Sequence, residues 1–339
     1  MSAWTVSAGM VANMSSTTPP VDFGLFTSLR YDQQLLFSEE NTKLSGNEEP
    51  SPFYNLRFHY DRLVDALHAF GWRLIPSKVN PEDELNPKLE DTKVERGEYP
   101  QAFEPIRDLE RFRKGLVDAV DNYFQTNPKT SRESPLKLRA RLYRTGEFIV
   151  DVTQTTPVPL INLFPPNPLP SPSSLLDSTR STSSLPSTSN PTPTFSLNDD
   201  TLLIDTCPMT PSHYTRFKTW PRPHYEAART RLGLSETDAK REVLLWNHDR
   251  WIMEGSRTNV YFWRPIEPSG ADSQRETGFG WITPSEGTSG CLSGTERRWM
   301  IEYGMITTQD LKIDDVKYGE IVLLSNGLRG TWPVTVQKY

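Results

Sequence analysis

The chain has 339 residues and a formal net charge of −6, with 29 prolines, nine tryptophans, five histidines and two cysteines. That length is compatible with two domains and supports a large core. The mild acidity and lack of a basic block argue against nucleic acid or an anionic membrane as partner, and two cysteines are too few for a disulfide scaffold or a cysteine-based zinc site.

The first twenty residues lack the basic start of a signal peptide and the arginines of a mitochondrial presequence. They read as an unstructured tail, residues 1–20. No apolar run approaches the ~20 residues a membrane helix needs, so the expectation is a cytoplasmic protein without membrane contact. The histidines show no metal-ligand spacing, and no metal is expected.

Residues 21–32 read as a strand. A polar stretch from Ser38 to Ser51 separates it from a helix over NLRFHYDRLVDALHAFGW, where His59, Leu63, Ala66, Leu67 and Phe70 recur at helical spacing and Gly71 supplies the stop. Pro76–Tyr99 is charged and reads as a surface excursion. A second amphipathic helix is predicted from Pro105 to Phe124, with Ile106, Leu109, Phe112, Leu116, Val117, Val120 and Phe124 on one face. The alternating LKLRARLYRTGEFIVDVTQ predicts a strand pair turning near Thr145–Gly146. Residues 21–156 thus form an α+β unit.

From Pro157 to Asp200 the composition turns Pro/Ser/Thr-rich with almost no aromatic residues. Such a segment buries too little apolar surface to offset its ordering entropy, which predicts an unpacked linker, residues 157–200. Residues 201–339 then form a strand-rich second domain. It opens with TLLIDT, continues through a helix around Tyr225, Ala228 and Leu232, and pairs Val243–Trp246 with Arg250–Met253 in a hairpin.

The most informative stretch is Trp251–Arg298. It opens WIMEGSRTNVYFWR and closes WITPSEGTSGCLSGTERR. A strand, a glycine-rich loop (Gly287, Gly290, Gly294) and a helix starting near Thr295 make an anion seat, because free backbone N–H groups and the helix dipole face the ligand there. Glu254 stands opposite, at the end of an apolar strand. A carboxylate and an anion seat suit a flat phosphorylated cofactor with a basic ring. Lys218 follows a strand and loop in apolar, aromatic surroundings, which suits a lysine with a lowered pKa. Each feature alone also has a bland reading: Lys218 as a solvated lysine, Glu254 as a turn carboxylate satisfied by the Ser256 and Thr258 N–H groups, the loop as a plain helix cap, Arg62 as a surface arginine.

Taken together and in order, HxxRL on an early helix, then FK, then ExxxxN before an apolar strand, then TP…GxLxGxxR resemble the class IV, fold type IV pyridoxal-phosphate enzymes. These include branched-chain and D-amino acid aminotransferases and 4-amino-4-deoxychorismate lyases. The resemblance implies an α+β fold of the D-amino acid aminotransferase type, with a small N-terminal domain, a larger β-barrel-like C-terminal domain, pyridoxal 5'-phosphate in the cleft between them, and a homodimer. It implies that Lys218 holds the cofactor and shuttles protons, that Glu254 pairs with the ring nitrogen, and that Arg62, Thr295 and Glu296 serve the phosphate. Glu296 departs from the threonine usual there and offers only its backbone N–H, with its carboxylate turned away. The elaborated first half and the long Pro/Ser insertion resemble fungal members of the lyase group, and two further features resemble that group as a whole. The last motif reads SNGLRGTWPV, with Asn326 and Leu328 in place of a small-residue turn, and Pro223 occupies the position of the aminotransferases' tyrosine. The implied reaction eliminates pyruvate from aminodeoxychorismate to leave 4-aminobenzoate, a folate precursor, with Asn326 and Arg144 touching the substrate. The alternative is an aminotransferase acting on branched-chain or D-amino acids or (R)-amines.

Overall fold

The structure is a computed structural model that describes residues 23–72, 101–181, 195–266 and 278–339. The tail, the Pro76–Tyr99 excursion and residues 182–194 of the expected linker lie outside the described residues. Among those described, no helix is long and apolar enough to cross a membrane.

Two sheets organise the chain. The smaller has the order β3-β2-β1-β5, from β1 (Gly24–Tyr31), β2 (Leu136–Tyr143), β3 (Phe148–Gln154) and β5 (Thr219–Trp220). One face of β2 carries Leu136, Leu138, Ala140 and Leu142, all buried, and the other carries Lys137, Arg139, Arg141 and Tyr143. That alternation follows from the period of two along a strand. The apolar face packs against α2 (Leu56–Ala69) and α3 (Leu109–Thr126) through Leu63, Leu67, Phe112 and Leu116. α1 (Glu39–Lys43) is a single short turn. Gly71 ends α2 at φ +58°, a conformation glycine adopts without Cβ strain. α3 starts later than Pro105, because the Asp108 side chain accepts from Arg111 N–H and caps it there. Pro105 lies in a preceding 3-10 turn, Gln101–Ile106.

The larger sheet has the order β10-β9-β8-β11-β12-β4-β6-β7. Its strands are β4 (Thr201–Ile204), β6 (Arg241–Trp246), β7 (Ile252–Gly255), β8 (Asn259–Pro265), β9 (Phe279–Pro284), β10 (Thr307–Gln309), β11 (Ile321–Asn326) and β12 (Gly330–Gln337). β7, at one end, packs back against β8 and β9, so the sheet curls around Leu202, Val260, Phe262, Val322 and Val334. α7 (Pro223–Arg231) packs on its strand β6, α8 (Glu286–Ser289) on β7 and α9 (Thr295–Glu302) on β11, whereas α6 (His213–Arg216) sends Tyr214 against the core of the smaller sheet. β5 belongs to the second half of the sequence yet pairs with β1 of the first. That crossing places Lys218, the residue before β5, at the seam of the two sheets.

The linker expectation needs correction over residues 157–181 and 195–200. This stretch contains α4 (Leu160–Leu163) and α5 (Pro172–Ser181), and Leu163, Leu169, Leu175 and Phe195 are buried. Leu169, Leu175 and Phe195 pack with Tyr261, Trp281 and Trp299, and Trp281 Nε1 donates to the Pro170 carbonyl at 3.0 Å. Few apolar residues suffice because the wall they meet is already aromatic and flat. Leu175 is 1% exposed. Leu175→Ala therefore costs about 2–5 kcal/mol of unfolding free energy, read from chemical denaturation. A change near zero would return the segment to linker status.

Candidate active site

A cleft of about 840 Å³ runs along the seam and is lined by Lys218, Arg62, Arg222, Thr295, Glu296 and Asn326 among others. Lys218 is fixed by its own backbone, whose carbonyl accepts from Phe26 N–H at 2.9 Å. Its Nζ lies 5.2 Å from the centre of the Phe26 ring. Burial, then the Arg222 and Arg62 guanidinium groups, hold its ammonium well below the usual lysine range. A lysine with a lowered pKa gives up its proton more readily, and its free amine is a nucleophile and a base.

Glu254 ends β7 and is 1% exposed. The turn after it is satisfied by another carboxylate. Glu242 accepts from Ser256 N–H at 3.1 Å, Arg257 N–H at 3.2 Å and the Thr258 hydroxyl at 3.3 Å. It also accepts from the Ser256 hydroxyl and faces Arg229 at 3.5 Å. Glu254 is thereby released from turn duty. It accepts instead from the Tyr225 hydroxyl and from Leu292 N–H, the latter at 3.2 Å. Burial raises its pKa to about 7, against the lowering pull of Arg222, Tyr225, Leu292 and Lys218. Tyr225 itself is 3% exposed and lies under the Arg222 guanidinium, 3.6 Å from ring centre.

The anion seat forms at α9. Asn259 Nδ2 donates to the Leu292 carbonyl at 2.8 Å, and a Cβ on Gly294 would lie 1.8 Å from Asn259 Oδ1, so only glycine lets the loop pass there. Thr295 follows, its Oγ1 buried without a partner among the described residues. The first backbone N–H groups of a helix have no intrahelical acceptor. Glu296 turns its carboxylate away, as its departure from threonine requires: Oε1 accepts from Asn55 Nδ2 at 2.8 Å and Oε2 from the Tyr54 hydroxyl at 2.5 Å. Burial pushes its pKa up to about 8, opposed by those two bonds and Arg62.

Arg62 is 5% exposed on α2. Its Nη2 donates to Thr27 Oγ1 at 2.5 Å, and Thr27 Oγ1 lies 2.6 Å from His59 Nδ1. Burial, then Arg62 and Lys218, hold His59 well below its usual pKa, so it accepts as a neutral ring and locks the arginine's direction. Arg62 Nε is buried and unpartnered among the described residues. Orphaned donors on Arg62 and a free hydroxyl on Thr295 are what a phosphate would satisfy.

The structure thus brings Lys218, Arg62, Thr295 and Glu296 to one cleft, with Glu254 buried behind the lining residues Tyr225 and Leu292 that donate to it. Asn326 also lines it, but its side-chain oxygen accepts from the Leu328 and Arg329 N–H groups at 3.0 and 2.9 Å. That bond leaves only its amide nitrogen for a ligand. Arg144 is misplaced by the sequence reading. It is exposed in the turn between β2 and β3, outside the residues lining the cleft, because β2 has ended at Tyr143 and the chain is reversing there. Sequence reasoning missed Thr27, Tyr225 as partner of Glu254, Arg222 and Arg139. The period of two along β2 was the available signal for Arg139.

Residues 170–336 match the family model for amino-transferase class IV. Of the chain's curated relatives, the aminodeoxychorismate lyase of Saccharomyces cerevisiae is 33% identical over 146 residues, covering 40% of this chain and 37% of that protein. The "Putative aminodeoxychorismate lyase" of Schizosaccharomyces pombe is 38% identical over 91 residues, covering 26% of this chain and 33% of that protein. The matches therefore span little more than a third of these relatives' length. A solved structure titled "Putative amino-acid aminotransferase", from Mesorhizobium loti, superposes with a TM-score of 0.53 at 19% identity, over 93% of this chain and all of that one. The family match thus covers just under half of the chain, and the likeness to the Mesorhizobium loti structure is one of fold.

Proposed function

We propose that this protein is a pyridoxal-phosphate-dependent lyase that eliminates pyruvate from 4-amino-4-deoxychorismate and leaves 4-aminobenzoate. The observation that carries the cofactor is a half-buried Lys218 sharing one cleft with buried, unpartnered donors on Arg62 and Thr295, while Glu254 lies buried behind the lining. Lysine, carboxylate and anion seat match the aldehyde, ring nitrogen and phosphate of one molecule. When bound, the cofactor supplies an electron sink conjugated to the amine-bearing carbon. Lys218 binds it and afterwards takes the C4 proton of the substrate. Glu254 holds the proton at the cofactor's ring nitrogen. Arg62, Thr295 Oγ1 and the first N–H groups of α9 bind the phosphate. Loss of the enolpyruvyl oxygen makes the substrate ring aromatic, so no second amino acceptor is required.

The preference for the lyase over an aminotransferase rests on the SNGLRG turn, on Pro223 in place of a tyrosine, and on the names of the two yeast relatives. The reading carries with it a cytoplasmic homodimer. Its support is the family resemblance and, for the compartment, two cysteines that are both free, Cys207 exposed and Cys291 buried.

Incubating the holoprotein with aminodeoxychorismate should release pyruvate and 4-aminobenzoate in equal amounts. Absence of both, with the cofactor's absorbance converting to the amine form on adding an amino acid, would establish an aminotransferase instead.

A further inference from the structure

The cleft holds more positive charge than a cofactor phosphate needs. The face of β2 opposite the core carries Lys137, Arg139 and Arg141, and its neighbour β1 adds Arg30 across from Lys137. Two of these four cations are neutralised within the protein. Arg30 holds Asp32 at 2.7 Å and donates to the Thr156 and Leu328 carbonyls. Arg141 holds Asp151 at 2.9 Å and the Tyr143 hydroxyl at 2.7 Å. Lys137 and Arg139 form no ion pair among the described residues, and both line the cleft. Arg139 is also held rigidly. Its guanidinium lies 4.4 Å from the centre of the Phe26 ring and 4.3 Å from that of Trp220, and its Nε is buried without a partner among the described residues. Stacking fixes an arginine while leaving its in-plane N–H groups free for a planar anion. The carboxylates nearby are mostly engaged elsewhere: Asp200 with Arg329, Asp238 with Arg241, Glu242 with Arg229. Glu226 and Glu236 are exposed at the rim.

The same Phe26 ring is flanked by Lys218 Nζ and by the Arg139 guanidinium. A cyclic substrate whose amine meets Lys218 therefore presents its opposite edge to Arg139. Resting on the lyase reading above, we propose that Arg139, assisted by Lys137, is the subsite for the ring carboxylate of a cyclic dicarboxylate substrate, in the role first assigned to Arg144. The cation pair selects a doubly anionic ring over monocarboxylate amino acids, because a substrate with one carboxylate leaves the half-buried Arg139 guanidinium unpaired.

Chorismate tests this directly. It has the same ring and both carboxylates, with a hydroxyl at C4 in place of the amine, so it binds without reacting at Lys218. Calorimetric titration of the holoprotein should show binding that weakens about tenfold or more in Arg139→Met, by a smaller factor in Lys137→Met, and falls with added salt. The cofactor's absorbance should be the same in both variants as in the wild type, since neither side chain serves the cofactor, and the KM for aminodeoxychorismate should rise in parallel. If Arg139→Met folds poorly without its stacked guanidinium, Lys137→Met and the salt dependence decide. Unchanged chorismate affinity and KM in the variants, in a wild type that produces 4-aminobenzoate, would overturn the subsite and leave the lyase reading standing. A wild type that neither binds chorismate nor produces 4-aminobenzoate would overturn both.

Discussion

Lys218→Met should lower turnover by ~10⁴-fold and abolish the visible absorbance of the bound cofactor, while the protein without cofactor becomes more stable at neutral pH. The two effects have one cause. Folding takes the Lys218 ammonium out of water and sets it beside Arg222 and Arg62, which depresses its pKa. The folded chain then binds fewer protons than the unfolded one between the depressed pKa and the ordinary lysine value. Stability rises with pH across that window, so below it the lysine is a burden on the fold. Methionine keeps the four-atom stem against Phe26 and removes the charge. Its stability gain over wild type should be largest at low pH and shrink as the pH climbs toward the lysine's unfolded value. Lys218→Arg should restore neither activity nor absorbance, because a guanidinium stays charged and offers no nucleophilic amine. A Lys218→Met protein that keeps wild-type turnover would remove Lys218 from the chemistry. One that is destabilised at neutral pH would show that the cationic surroundings are offset by something else.

Much of this cleft was legible from the chain alone, and the parts that were not have identifiable reasons. Periodicity located α2, β2, β3 and α7, because their apolar residues repeat at the interval of the element they build, whereas β1 was read from its residue types and α9 from the glycine loop before it. The order of Lys218, Glu254 and Thr295 in sequence pointed to a shared site before any contact was visible. The crossing of β5 onto β1 was not readable, since a two-residue strand leaves no pattern. The packing of residues 157–181 was hidden for another reason. Composition registers what a segment carries and says nothing of the surface it lands on, and here that surface is Tyr261, Trp281 and Trp299. Arg144 and Arg139 differ by five residues and by everything that matters. One lies beyond the strand end and the other on the cleft face within it, and only the register of β2 separates them.

The bland reading of Glu254 failed instructively. Ser256 and Thr258 do bond a carboxylate, but it belongs to Glu242, twelve residues earlier in sequence and adjacent in space through the β6–β7 pairing. A local rule identified the Ser256 N–H correctly, named the N–H of Thr258 where its hydroxyl donates, and assigned the acceptor wrongly. Freed from the turn, Glu254 has, among the described residues, only Tyr225 and Leu292 as hydrogen-bond donors, too few to hold a buried carboxylate fully ionised.

Glu254→Gln should therefore separate cofactor chemistry from fold stability. With its pKa raised from 4.5 to about 7, the folded protein holds a proton that the unfolded chain releases between those values. Stability is then lost as pH rises through that window, by up to about 1.4 kcal/mol per pH unit. Glutamine has no such proton. It also gives up one hydrogen bond, since an amide satisfies the Tyr225 hydroxyl or the Leu292 N–H through its single oxygen, at a cost of about 1–3 kcal/mol. The two terms are of similar size, so the decisive quantity is the slope. The stability of Glu254→Gln relative to wild type, both without cofactor, should increase steadily from about pH 4.5 to about pH 7 and level off above it. Glu296 titrates in both proteins and cancels in the difference. With cofactor the sign reverses. A protonated ring nitrogen facing Glu254 gives the carboxylate the cation it lacks, and an amide cannot replace that charge pair. Turnover should fall ~10²–10³-fold while the cofactor still binds through Lys218 and the phosphate seat. Near-wild-type turnover, or a stability difference flat across pH 4.5–7, would mean that Glu254 holds its proton for the fold and contributes nothing to the reaction.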